Sequence, residues 1–202
     1  MTQPLVIILE GADRTGKGTF VETLRRIAKT PKLVHLHSTK PPILNVSPYT
    51  AVNSQNYKDW SNKHYSNVVN NINTLIKTND IIILDRSYLG EYVYGPLYRF
   101  TNYTKTEMRN FELDNPLPRN TVLVYLTDSA ENLIARDDGK SHTDDLNNKV
   151  KELKLFKTVI DNSIISNKLI IDWSTEDFTP EVLESYINYI LSLNKETNYD
   201  YQ

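Results

Sequence analysis

The chain of 202 residues contains no cysteine, which excludes disulfides and thiolate metal sites. It has no excess of positive charge: 23 Lys and Arg stand against 25 Asp and Glu, for a formal net charge of −2. That balance lacks the basic footprint of a nucleic-acid-binding surface, so no nucleic-acid partner is expected. No apolar run is long enough to span a bilayer, and Met1-Thr2-Gln3-Pro4 carries neither a basic region nor a cleavable apolar segment. No membrane partner is therefore expected. The expected location is the cytoplasm, or the host cytoplasm if the chain is viral. Neither repeats nor linker-like stretches occur, and residues 1–202 read as a single domain.

Glycine is also scarce, yet three of the six glycines fall within the eight positions Gly11-Ala12-Asp13-Arg14-Thr15-Gly16-Lys17-Gly18. An apolar run, Leu5 to Leu9, precedes this stretch and ends at Glu10; helix-forming residues follow from Phe20 to Lys29. A buried strand, a glycine loop and a helix in succession form the setting of a phosphate-binding P-loop. Backbone N–H groups of such a loop cradle phosphate oxygens, and the helix N-terminus adds a positive dipole end. Gly11, Gly16 and Gly18 permit close backbone approach, Ala12, Asp13, Arg14 and Thr15 complete the loop, and Lys17 supplies a charge for the outer phosphates. The position after the lysine is Gly18 rather than Ser or Thr, with Thr19 one residue later. A direct hydroxyl ligand for Mg²⁺ is thereby removed, leaving water and phosphate to hold the ion.

Further along, Lys32–His37 reads as a short strand, followed by the proline-broken Ser38-Thr39-Lys40-Pro41-Pro42. A helical pattern covers about residues 53–78, and Ile81–Leu84 forms an apolar strand ending in Asp85-Arg86. Ser87 is expected to cap a helix that stops at Gly95-Pro96, and Thr104–Asp114 gives another. Thr121–Leu126 reads as a strand, with Thr127 or Asp128 capping a helix that reaches Arg136. Residues 137–143 form a polar, glycine-containing loop expected to act as a small mobile lid. A long helix over Asp144–Ile165, a strand over Lys168–Asp172 and a helix opened by Thr179-Pro180 complete the chain. Alternating strands and helices predict an α/β fold: a five-stranded parallel sheet with helices on both faces. Ligands of such sheets bind beyond the carboxyl ends of the strands. There the P-loop, Ser38–Pro42, Asp85-Arg86 and the loop after Leu126 converge.

Asp85 closes its strand as a Walker B acid does and is the candidate for the Mg²⁺ side, while Arg86 offers a planar fork to a phosphate. His35 and His37 alternate on a strand, but with no third ligand evident nearby they read as core or edge residues. Lys149, Lys151, Lys154 and Lys157 read as a solvated helix face.

These motifs together resemble the thymidylate kinase family of P-loop nucleoside monophosphate kinases, and the resemblance covers most of the chain. It rests on Asp13-Arg14 inside the P-loop, the G-K-G-T ending, Asp85-Arg86 at a strand end, a lid after Arg136, and the length. It implies transfer of the ATP γ-phosphoryl group to dTMP with Mg²⁺, and a homodimer. By resemblance, Asp13 contacts the sugar hydroxyl, Arg14 stabilises the transferring group, Arg86 binds the acceptor phosphate and Arg136 stacks on adenine. Arg14 lies in the loop and the lid offers only Lys140 as a further cation, the pattern of the form with its catalytic arginine in the P-loop. Lys40 stands where the family has an arginine for the acceptor phosphate. Trp60 and His64 stand near the positions of its base platform and base reader, with Tyr94 flanking base or sugar. The alternatives are a deoxynucleoside kinase and a P-loop regulatory ATPase. The first needs a carboxylate base after the second strand, and no Asp or Glu occurs between Pro31 and Tyr57. The second needs a water-positioning group and a partner surface, and neither is readable.

Overall fold

A computed structural model describes residues 4–38, 51–99, 101–136, 139 and 141–196. Five strands form one sheet: β1 (Leu5–Glu10), β2 (Leu33–His37), β3 (Ile81–Asp85), β4 (Thr121–Thr127) and β5 (Asn167–Asp172). Their order is β2-β3-β1-β4-β5 and every pairing is parallel. The helices are α1 (Lys17–Ala28), α2 (Ala51–Leu75), α3 (Tyr88–Tyr98), α4 (Lys105–Asp114), α5 (Ala130–Ala135), α6 (Leu146–Asn162) and α7 (Pro180–Glu196).

All residues of β1 and β3 are buried, as near-continuous apolar strands covered on two faces must be. Alternate side chains divide between those faces. Leu5, Ile7 and Leu9 pack with Phe20, Leu24, Leu183 and Ile187 of α1 and α7. On the other face Ile8 and Leu123 pack with α3, α4 and α6, while Val6, Ile82 and Leu84 pack with Ile72 of α2. The predicted five-stranded parallel sheet between helical layers is the observed architecture. The carboxyl ends of β1, β2 and β3 lie level, because Leu9 and His37 both pair with Asp85.

Several boundaries differ from the sequence expectation for identifiable reasons. Helix α3 runs through Pro96 to Tyr98 instead of stopping at Gly95-Pro96. The Gly95 carbonyl is taken up by the N–H groups of Arg99 and Thr101, and a Cβ on Gly95 would lie 2.6 Å from the Tyr103 ring. This glycine therefore serves close packing, not termination. Ser129 caps α5, accepting from the Asn132 N–H, which leaves the Asp128 carboxylate to other partners. Helix α6 starts after its cap Asp145 and ends at Asn162. There buried Glu112 accepts hydrogen bonds from Ser163 Oγ at 2.5 Å and the Ile164 N–H at 2.9 Å, drawing the chain out of the helix. Lys149 is not part of a solvated face: it is buried and paired with Glu152 at 3.0 Å, whereas Lys151, Lys154 and Lys157 are exposed. Lys40, with residues 39–42 of its segment, and Asp137, Asp138 and Lys140 of the expected lid lie outside the described residues.

Candidate active site

The loop between β1 and α1 owes its shape to two glycines. Gly11 has φ +148°, and a Cβ there would come within 2.3 Å of the Leu126 carbonyl oxygen; Gly16, at φ +90°, is the N-cap of α1. Both occupy backbone space that other residues rarely adopt. Arg14, at φ 73°, lies in the same left-handed region. Lys17 opens the helix with its side chain buried, and its ammonium donates to the carbonyls of Gly11 at 2.8 Å and Ala12 at 2.6 Å. Burial, and then the nearby Arg86 charge, lower its pKa to about 8. Thr15 donates its hydroxyl to the Ala12 carbonyl at 3.0 Å and accepts from the Trp173 indole through its own carbonyl at 3.1 Å. The loop is thus fastened from within and by Trp173, just past β5. Gly18 and Thr19 are exposed on the first turn of α1.

Arg86 joins two elements at this edge. Its guanidinium pairs with Asp13 and donates to Tyr94 Oη at 3.3 Å. Burial alone would raise Asp13, but Arg86 and Lys17 outweigh it and hold the carboxyl below the usual range. Glu10 lies beneath the loop and accepts from the Ser87 N–H and Oγ, both at 2.6 Å. Burial still dominates and pushes Glu10 up to about 7. Asp85 is buried, with Oδ2 3.0 Å from His37 Nδ1, while Oδ1 has no hydrogen-bond partner among the described residues. One free carboxylate oxygen, with no hydroxyl at position 18, fits a hard cation held mainly by water and phosphate.

Arg136, the C-cap of α5, pairs with Asp128 and donates to the Arg14 carbonyl at 3.3 Å. It therefore sits beside the P-loop, where a nucleotide-base contact is expected. On the other side, Trp60 and His64 stack on each other with ring centroids 5.0 Å apart and planes 8° from parallel. The buried face of α2 runs through Tyr57, Ser61 and Tyr65 to Val69 and Ile72. Tyr57 Oη donates to Glu91 at 2.6 Å, Tyr65 Oη at 3.4 Å, and Arg99 closes the cluster through an ion pair with the same carboxylate. Tyr94 also donates to Glu152 at 3.2 Å, and His142 stacks on Tyr98 at 5.0 Å. The structure thus brings Asp13, Lys17, Asp85, Arg86 and Tyr94 to one edge, with Arg136 at the loop. Sequence reasoning missed Glu10, Glu91, Arg99 and His142. Only Glu10, at a strand end before the glycine loop, stood where a local pattern could reveal it.

The fold and the loop together define the class: a P-loop kinase architecture. Two solved structures of this architecture match nearly the whole chain. The YorR protein of Bacillus subtilis, solved in complex with phosphorylated GDP, superposes with a TM-score of 0.63 at 18% identity, over 95% of this chain and 98% of its own. Thymidylate kinase from Candida albicans, described as having broad substrate specificity, gives 0.60 at 17% identity, over 96% and 93%. No protein-family model matches the sequence, and no curated protein sequence does.

Proposed function

We propose that the chain is an ATP-dependent nucleoside monophosphate kinase, a single catalytic domain that transfers the γ-phosphoryl group of ATP to dTMP. The observation that carries this reading is Arg86. Reached from the end of β3, it is braced between Asp13 of the P-loop and Tyr94 of α3. In this reading Arg86 would supply a cation for the acceptor phosphate directly beside the loop that would hold the donor phosphates. Phosphoryl transfer demands mostly positioning and charge stabilisation, and this edge supplies both. Gly11–Thr19 would cradle the ATP phosphates, Lys17 would leave the loop carbonyls for phosphate oxygens, and Arg14 would stabilise the transferring group. Arg136 would flank the adenine. Asp85 would hold Mg²⁺ through water; the ion's contribution is to neutralise charge on the phosphates. Asp13 would orient the acceptor sugar, with Arg86 and the cationic positions Lys40 and Lys140 on the phosphates.

For the base, Trp60, His64 and Tyr94 are the candidates drawn from the resemblance. The self-stacking of Trp60 on His64 favours a second reading, in which several deoxynucleoside monophosphates are accepted. A homodimer belongs to the same proposal and is read by light scattering. Among the described residues no helix is long and apolar enough to cross a membrane.

The test is a phosphotransfer assay with ATP and Mg²⁺ across the four deoxynucleoside monophosphates and the matching nucleosides. The expected result is nucleoside diphosphate formation, fastest with dTMP and abolished in Lys17→Ala while the far-ultraviolet spectrum stays native. Phosphorylation of nucleosides only, or ATP hydrolysis indifferent to any acceptor, would sink the proposal. Faster turnover of dGMP or dAMP would sink its thymidylate part alone.

A further inference from the structure

The histidines of β2 do not stand alone. His35 and His37 are two apart, so their side chains share one face of the strand. The register of the sheet sets His37 directly opposite Asp85, whose side chain lies on that same face. One donor atom from each of the three residues lies within 4.8 Å of the others. Asp85 Oδ2 is 3.0 Å from His37 Nδ1 and 3.5 Å from His35 Nε2. Tetrahedral coordination at ordinary metal–ligand lengths separates neighbouring donors by roughly 3.3 Å, so two of the separations already match. His35 Nε2 is buried without a hydrogen-bond partner among the described residues, a condition that costs free energy unless the nitrogen gains a partner.

We infer that His35, His37 and Asp85 form a binding site for a first-row transition metal ion of the Zn²⁺ or Co²⁺ class. Two imidazoles and one carboxylate with an open position suit such ions, whereas Mg²⁺ prefers oxygen ligands alone. The site differs in ligand chemistry from the Mg²⁺–nucleotide site, and Asp85 is the residue they share. Its Oδ2 faces the histidines, and Oδ1 is the oxygen without a partner. Coordination through His35 Nε2 puts the ring proton on Nδ1, which now faces Arg25 Nη2 at 3.3 Å. Arginine cannot accept that proton. Arg25 is exposed, so its side chain swings into solvent when the ion binds. The inference rests on ligand geometry and holds whether or not the phosphotransfer reading does.

The experiment is a titration of tag-free protein with Co²⁺, followed by visible ligand-field absorption, with Zn²⁺ and excess Mg²⁺ as competitors. One Co²⁺ per chain should bind, be displaced by Zn²⁺ and be unaffected by Mg²⁺. His35→Ala and His37→Ala should each weaken binding by about 100-fold or more, since even an outer partner of a ligand is worth up to that factor. His64→Ala, outside the triad, should bind as the parent does. No stoichiometric binding by the parent, undiminished binding in both histidine variants, or displacement by Mg²⁺ as readily as by Zn²⁺ would overturn the assignment. Should either variant fail to fold, imidazole NMR signals of the parent decide. Zn²⁺ must shift those of His35 and His37 in slow exchange, and unmoved signals reject the site.

Discussion

Gly18 occupies the position where many P-loops place a hydroxyl on Mg²⁺, and a Cβ built there meets nothing within 4 Å. Space therefore does not explain the glycine, and a side chain can be added without collision. Gly18→Ser should stabilise α1 by at most about 0.5 kcal/mol, from helix propensity. It should also lower the Mg²⁺ concentration needed for half-maximal ATP binding, which isothermal titration reads. An unchanged Mg²⁺ requirement would place the ion elsewhere. Glu10 makes a second prediction at this scale. Its pKa rises from an ordinary 4.5 to about 7 in the folded chain. Between those values the native state holds a proton that the unfolded chain has released, so stability falls as pH rises through this window. The difference corresponds to roughly 3 kcal/mol. Urea denaturation at pH 4.5 and pH 7.5 should show this loss in the parent and a much smaller one in Glu10→Gln. Equal slopes in both proteins would mean that Glu10 is ionised throughout.

Helices α2 and α3 share a buried polar cluster beside their apolar contacts. Glu91 and Arg99 are both nearly inaccessible, with side-chain exposures of 5% and 9%. Removing one partner of a buried pair leaves the other charged and uncompensated, typically at a cost of about 3–5 kcal/mol. Arg99→Met should therefore lose stability of that order in chemical denaturation, and the double variant Glu91→Gln/Arg99→Met should recover most of it. If the double variant is no more stable than the single, the two residues act independently. This cluster also marks where the sequence ceased to be legible. The helical period of α2 was readable, but Trp60 and His64 drew attention by residue type. The face turned toward α3 is instead Tyr57, Ser61 and Tyr65, chosen by a glutamate 26 residues beyond Tyr65. Helix α3 was found through Ser87 and cut short at Gly95-Pro96, because the ring of Tyr103 that requires Gly95 is a tertiary partner.

For the molecule as a whole, the strands were legible because buried parallel strands read as unbroken apolar runs. Their convergence at one edge followed from the alternation of strands and helices. Strand order was not readable, and it decides the surroundings of Asp85. Only with β2 beside β3 does His37 pair with Asp85, so His35 and His37 lacked a third ligand when read along the chain. The fold also joins segments far apart in the chain. Trp173, just past β5, donates its indole N–H to the Thr15 carbonyl inside the P-loop.

That bond turns the tryptophan into an optical gauge of the loop. The chain has two tryptophans, one touching the loop proposed for donor phosphates and the other on the helix proposed for the acceptor base. Fluorescence titration can therefore follow the two ligands separately. In Trp60→Phe, ATP should still alter the emission through Trp173, while the response to dTMP should fade. An ATP response lost with Trp60, and not with Trp173, would exchange the two assignments.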